Sequence, residues 1–471
     1  MARTVKFLKF KGRIVIVGFG SIGQGILPLI LRHIDAKPAQ ITIVTAEDRG
    51  QKEAKDLGVR FVVEPLTEQN YRSVLEPLIG AGDFLLNVSV EVSSAALVAF
   101  CRDQGALYLD TCIEPWPGGY TDPELSPSLR SNYALREKIL EMRKQHPGGP
   151  TAVMTHGANP GLVSHFVKIA LLDLAEELGV KAAPKGRAEW AALAAELDVK
   201  VIHIAERDTQ VSRIPKQPGE FVNTWSIDGF VAEGMQPAEL GWGTHERHFP
   251  ADGGRHEFGG GAAIYLNRPG AATRVRSWTP LEGPYHGFLI THNEAISIAD
   301  YYTLREGGTV RYRPTVHYAY HPCDDAVLSV HELWGKNFRL QETKRLIMDE
   351  IEHGIDELGV LLMGHAKGVY WYGSRLSVEE ARRLARFNNA TSLQVTATAL
   401  AGMIWALENP ERGIVEPDEM DHQRVLEICR PYLGQVLGEY SDWTPLVDRE
   451  RLFPEDLDRD DPWQFKNFRV V

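Results

Sequence analysis

The segment "NTWSIDGFVAEG" (residues 223–234) sets an indole, Trp225, among short polar side chains, with Asp228 and Glu233 in the same dozen residues. An aromatic face and carboxylates in one stretch are what an organic cation needs. The ring quadrupole attracts a desolvated ammonium by about 1–2 kcal/mol, and a carboxylate pairs its charge. Glu206 in "IHIAERDTQ" is expected at the end of a short apolar strand, and Glu114 ends "GALYLDTCIE" before a Pro-Trp-Pro turn. Both are further candidates for pairing a cation. His292 and Glu294 in "LITHNEAISI" are two apart and read as one face of a strand. Such a pair can move protons. Asn159 in "GANPG" either forms a turn or offers an amide to orient a ligand.

Each has a plainer alternative: a Trp packed under a loop, a solvated Glu, a His satisfied by a backbone carbonyl. Asp228, beside Gly229, reads equally as a turn residue or a ligand. His245, His248 and His256 in "THERHFPADGGRHEF" are dense, but neither HExxH nor a cysteine accompanies them, so no metal is expected.

A second chemistry sits near the N-terminus. "GFGSIG" is Gly18, Phe19, Gly20, Ser21, Ile22 and Gly23, following the apolar run "RIVIVG" and opening an apolar helix. Gly18 permits the tight turn, Gly20 a close approach of a pyrophosphate, and Gly23 close packing of helix on strand. Free N–H groups at the helix start attract the phosphates. The next strand, "QITIVTAED", carries Thr45 and ends in Glu47 and Asp48. A carboxylate there binds ribose hydroxyls and favours NAD, while Arg49 keeps NADP open. Pro28, in the second helical turn, should kink the helix but leaves its first N–H groups free. Asn87, Ser89, Asp110 and Thr111 follow two later apolar strands and are candidates for cofactor contact or for loop capping.

The elements that must position these residues alternate. Strands around 13–17, 40–48, 83–90 and 105–114, with helical stretches at 69–79 and 91–104 between the later ones, predict a doubly wound parallel sheet. Residues 151–178 add a strand, a turn and a helix at the exit from this domain. From about 200 to 320, β-branched and aromatic residues and glycine clusters predict a mixed or antiparallel sheet. Residues 340–364 read as helical, and 377–409 more clearly so. The expectation is an α/β fold. Residues 1–155 form a Rossmann-type dinucleotide domain, completed by C-terminal helices from about 380–471. Residues 156–380 form a second α+β domain for substrate binding and dimerisation.

A chain of 471 residues with 44% hydrophobic and 24% charged residues has the profile of a soluble multidomain protein. Its net charge of −12 argues against nucleic acid and is compatible with a cationic ligand. No run of eighteen apolar residues and no secretion signal are read. Four scattered cysteines without CxxC fit a reduced, cytoplasmic location.

The motifs "GFGSIGQG", "LDTCIEPW", "THGANPGLVSHF", "NTWSIDGF" and "THNEAISIADYY" together resemble the saccharopine dehydrogenase-like superfamily, and within it the bacterial homospermidine synthases, over nearly the whole chain. The resemblance implies NAD-dependent oxidation of putrescine to an imine and loss of ammonia. A second putrescine then condenses, with spermidine an alternative aminobutyl donor, and re-reduction yields sym-homospermidine. It further implies Trp225 as a cation–π residue near the nicotinamide, Glu206 and Glu233 as ammonium partners, and a homodimer. Carboxynorspermidine or saccharopine dehydrogenases of the same superfamily need arginines for a substrate carboxylate. Arg207 and Arg213 keep that alternative open, as does a non-catalytic NAD-binding protein.

Overall fold

The computed structural model describes residues 5–471. Seven parallel strands form the first sheet, in the order Ile414–Val415, Ala152–Val153, Leu107–Asp110, Phe84–Asn87, Ile14–Val17, Ile41–Thr45, Arg60–Val63. Ile14–Val17, Phe84–Asn87 and Leu107–Asp110 are buried at every position. Helices cover both faces of such a sheet, so its central strands are apolar throughout. The strand order reverses between Ile14–Val17 and Phe84–Asn87, and sheets of this kind bind ligands in the crevice at the carboxyl ends of such a switch point.

Gly18, with φ +88°, makes the turn out of the first strand; a Cβ would stand 2.8 Å from the backbone of Ser89. The helix that follows, Ser21–His33, runs on through Pro28.

The second sheet has eleven strands of mixed direction. Its central pair, Val201–Asp208 and Thr315–His321, is parallel; Ile355–Met363 and Val369–Ser377 extend it antiparallel on one side. Pro237–Gly241, Ala263–Pro269 and Gly253–Arg255 extend it on the other. The architecture is therefore the expected Rossmann-type sheet joined to an α+β unit with a mixed sheet.

Residues 340–364 are not helical. They form the strands Thr343–Leu346, Ile351–His353 and Ile355–Met363. Their Leu, Glu, Lys and Met favour a helix locally, but pairing on both edges of Ile355–Met363 outweighs a propensity of a few tenths of a kcal/mol per residue. Gly359 shows the constraint: a Cβ there would lie 2.4 Å from the Trp371 ring. Residues 377–409 are two helices, Val378–Leu384 and Ala390–Glu408, separated by Phe387 at φ +63° and capped by Asn389.

The C-terminal segment divides between the sheets. Ala390–Glu408 packs on Ser21–His33, and Ile414–Val415 is an edge strand of the first sheet. Gln435–Ser441 and Arg469–Val470 pair instead within the second sheet. Ala390–Glu408 is long and apolar enough to cross a bilayer, yet it is almost wholly buried inside the protein.

Candidate active site

The acid Glu206 is at the centre of the site. It lies within Val201–Asp208, two residues before the strand ends, and is 2% exposed. Asn159 Nδ2 donates to its Oε2 at 2.9 Å, and the Tyr318 hydroxyl donates to the same oxygen. Asn159 reaches it from the turn before Leu162–Glu177, and Tyr318 from the neighbouring strand. Burial pushes the Glu206 carboxyl up to about 7, against the pull of these donors.

His292 lies against Tyr318, ring centroids 4.5 Å apart. Its Nε2 meets Glu233 Oε2 at 2.9 Å and its Nδ1 meets Glu294 Oε1 at 3.2 Å. The expected strand is absent here: His292 stands at the N-cap position of the helix Asn293–Tyr301 without a capping side-chain bond, and Glu294 occupies its first turn. The pair still meets, because an N-cap side chain can reach back over the first turn. Burial opposes a charged imidazole, but Glu233 and Glu294 outweigh it and hold His292 well above its usual value.

Trp225 joins the strand Glu220–Asn223 to the helix Ile227–Met235, and Ser226 caps that helix by accepting from Gly229 N–H at 3.2 Å. The indole is half-buried, and its Nε1 donates to the Tyr320 hydroxyl at 3.0 Å. Glu233 falls in the last turn of the helix, facing His292. Asp228 is on the outer side, exposed and paired with Lys344. Glu114 is buried, accepting from Glu91 N–H at 3.2 Å and from the Cys112 thiol at 3.4 Å. Burial, aided by the charge of Glu233, pushes it up to about 8. The fold thus links Asn159, Glu206, Glu233, His292 and Glu294 through one chain of contacts, with Trp225 entering through Tyr320 and Glu114 within electrostatic reach.

Four residues of this centre escaped the sequence reading: Tyr318, Tyr320, Asp208 and Asp356. Tyr318 and Tyr320 share a face of their strand and stack at 5.1 Å. Asp208 is on the same face as Glu206, bound by Thr224 Oγ1 at 2.9 Å, and pairs across the sheet with Asp356. Period-two alternation in "IHIAERD" and "VHYAYHP" carries this signal for three of them; Asp356 fell in the stretch read as helix.

At the other end, Gly20 precedes Ser21–His33 with no side chain capping the helix, and a Cβ on Gly20 would meet nothing within 4 Å. Uncapped N–H groups facing open space suit a pyrophosphate. Gly23 packs tightly, its Cβ position 2.6 Å from Gly18 O; Ser21 is buried and Ile22 half-buried. Thr45 closes the second strand, and Glu47 stands exposed beyond it, 3.8 Å from Arg49.

Asn87 and Asp110 make the capping contacts that were the alternative to cofactor binding. Their side chains turn inward: Asn87 Oδ1 accepts from Ser89 Oγ at 2.6 Å, and Asp110 accepts from Tyr108 at 2.8 Å and Thr155 N–H at 2.5 Å. They brace the strand ends, leaving Ser89 and Thr111, both half-buried, at the crevice rim. The three histidines lie apart: His245 meets the Trp463 carbonyl, His248 meets Asp458, and His256 stacks on Tyr133.

Two family models match the chain: the saccharopine dehydrogenase NADP binding domain over residues 14–153 and the saccharopine dehydrogenase C-terminal domain over residues 157–441. A homospermidine synthase of Blastochloris viridis is 56% identical over 467 residues, covering 98% of each chain. One of Mesorhizobium japonicum is 53% identical, covering 98% of this chain and 96% of its own. The crystal structure of a homospermidine synthase from Legionella pneumophila in complex with NAD matches with a TM-score of 0.92 at 52% identity, covering 99% of each chain. Apo saccharopine dehydrogenase from Saccharomyces cerevisiae matches with a TM-score of 0.50 at 9% identity, covering 92% of this chain and 100% of its own, which shows the fold alone.

Proposed function

The chain belongs to the homospermidine synthases, and on that premise we propose that Trp225 and the buried acids form a diamine pocket joining two putrescines into sym-homospermidine, with release of ammonia. The enzyme is a transferase, and spermidine serves as an alternative aminobutyl donor. NAD is the cofactor, as in the Legionella enzyme. Glu47 puts a carboxylate just past the second strand, where a 2′-phosphate would be repelled. Gly18, Gly20 and the first N–H groups of Ser21–His33 would hold its pyrophosphate. When bound, NAD accepts a hydride from the amine-bearing carbon and returns it in the same turnover.

The chain's own groups handle charge. Putrescine arrives as a dication, and each ammonium costs several kcal/mol to desolvate unless paired. Glu114, Glu206 and Glu233 supply the pairing. An amine can release a hydride only after its nitrogen has lost the extra proton. Glu206, at about 7, is matched to take a proton near neutrality, whereas Glu114, at about 8, is protonated there until a substrate ammonium beside it favours the carboxylate. As the carbon becomes an iminium, the Trp225 face stabilises the developing charge. The first nitrogen leaves as ammonia when the amine of the second putrescine adds. His292, kept charged by Glu233 and Glu294, gives its proton to the departing nitrogen and regains one from the incoming amine. Asn159 orients the amine from beside Glu206.

The observation that carries this reading is the convergence of Asn159, Tyr318 and the His292–Glu233 pair around one buried carboxyl, Glu206. An arginine-lined site for a substrate carboxylate is not supported, since Arg207 turns to Asp324 and the Pro322 carbonyl. Incubation with putrescine and NAD alone is expected to yield homospermidine and ammonia in equal amounts with no net NADH. Steady accumulation of NADH would identify a simple dehydrogenase, and no product would leave a binding protein. The same reading carries a cytoplasmic location, supported by four free cysteines, and a homodimer, to be checked by light scattering.

A further inference from the structure

We infer that Tyr320 is a positioning residue for catalysis, acting through its hydrogen bond to the indole N–H of Trp225. This rests on the diamine-pocket reading. Cation–π attraction is directional, because the negative potential lies over the ring face and falls away toward the edge. A half-buried indole at the junction of a strand and a helix therefore needs a second anchor besides its backbone. Phe230 touches the ring at 5.4 Å with the planes tilted 44°, which blocks one side and leaves rotation free. Tyr320 Oη, 3.0 Å from Nε1, is the anchor that sets the plane.

Tyr320 is itself held rigidly. It is wholly buried in Thr315–His321, pairs with Glu206 on one neighbouring strand and Phe288 on another, and stacks on Tyr318. Its hydroxyl accepts the indole proton on the sheet face that carries Glu206 and Asp208. An indole donating to a hydroxyl held in this way has its face fixed in direction. The contact spans 95 residues of chain.

The test is a cycle of four enzymes: wild type, Tyr320→Phe, Trp225→Phe and the double variant, each with kcat, KM for putrescine and melting temperature. Losing one neutral hydrogen bond predicts about a fivefold fall in kcat for Tyr320→Phe, with KM and melting temperature nearly unchanged. In the Trp225→Phe background, which has no N–H, the same change should alter kcat by less than about twofold. Equal losses in both backgrounds, or no loss in either, would overturn the inference. Should Trp225→Ala and Trp225→Phe prove equally mild, the diamine reading itself fails. If those two differ as expected and Tyr320→Phe is silent or additive, only the role of Tyr320 fails.

Discussion

Glu206→Gln separates activity from stability, because the two should move in opposite directions. The carboxyl is 2% exposed and is pushed up from its usual 4.5 to about 7. That displacement corresponds to about 3 kcal/mol held against folding when the group is ionised, at 1.36 kcal/mol per tenfold change. The sign follows from linkage. Folding favours the protonated acid, so the native state loses stability as pH rises from the unfolded value near 4.5, and the loss levels off above about 7. Glutamine has no charge to desolvate and escapes this loss. Its amide oxygen still accepts from Asn159 and Tyr318, but its NH2 replaces an acceptor oxygen in a dry site, at a cost of about 1 kcal/mol. The net expectation at pH 8 is a variant as stable as wild type or about 1–2 kcal/mol more stable, with the advantage gone at pH 5. Its kcat should fall about 100-fold or more, the usual contribution of a general base. Melting curves at pH 5 and 8, with product assays at pH 8, test both halves. A variant that retains most of its activity, or that is destabilised at pH 8 and not at pH 5, would refute the assignment of Glu206 as a buried base.

Two other substitutions probe the frame. Gly20→Asp places a carboxylate at the uncapped helix start, where it can bond the N–H groups meant for phosphate. Melting temperature should hold or rise, while NAD affinity measured by titration of the apoprotein falls about tenfold or more; unchanged affinity would move the dinucleotide elsewhere. Arg136→Met strips the partner from Glu416, at 2.6 Å, and from Asp300, at 2.9 Å, in a nearly dry site. Breaking a buried pair on one side costs about 3–5 kcal/mol, so urea unfolding should shift by that amount; a shift below about 1 kcal/mol would mean that water already reaches the pair.

The local chemistry was legible before any folding was known. "GFGSIG" announces its turn, because Gly18 needs a left-handed φ and Gly23 must lie against the strand, both being short-range steric demands. Apolar runs alternating with helical stretches announce the parallel sheet, since strands covered by helices on both faces are apolar throughout. The Trp225 segment offers an indole beside carboxylates, and the family resemblance gives it the reading of a cation site. Errors arose where neighbours decide. "DELGVLLM" has helical composition but is a strand, because two partner strands occupy its edges. His292 and Glu294 were placed on one face of a strand; they meet at a helix start instead, and the contact survives the wrong geometry.

The sequence by itself thus determined the dinucleotide turn, the class of each domain and the kinds of side chain available to bind a diamine, for these depend on interactions within a few residues. Only the tertiary structure decided that Glu114 and Glu206 are buried and so pushed up toward neutrality. It alone turned Asn87 and Asp110 inward as braces, brought Asn159 to Glu206 across 47 residues, and set Tyr320 against the Trp225 indole across 95. Proton affinity and ring orientation are properties of the enclosure around a residue, and that enclosure is assembled from strands and helices far apart in the chain.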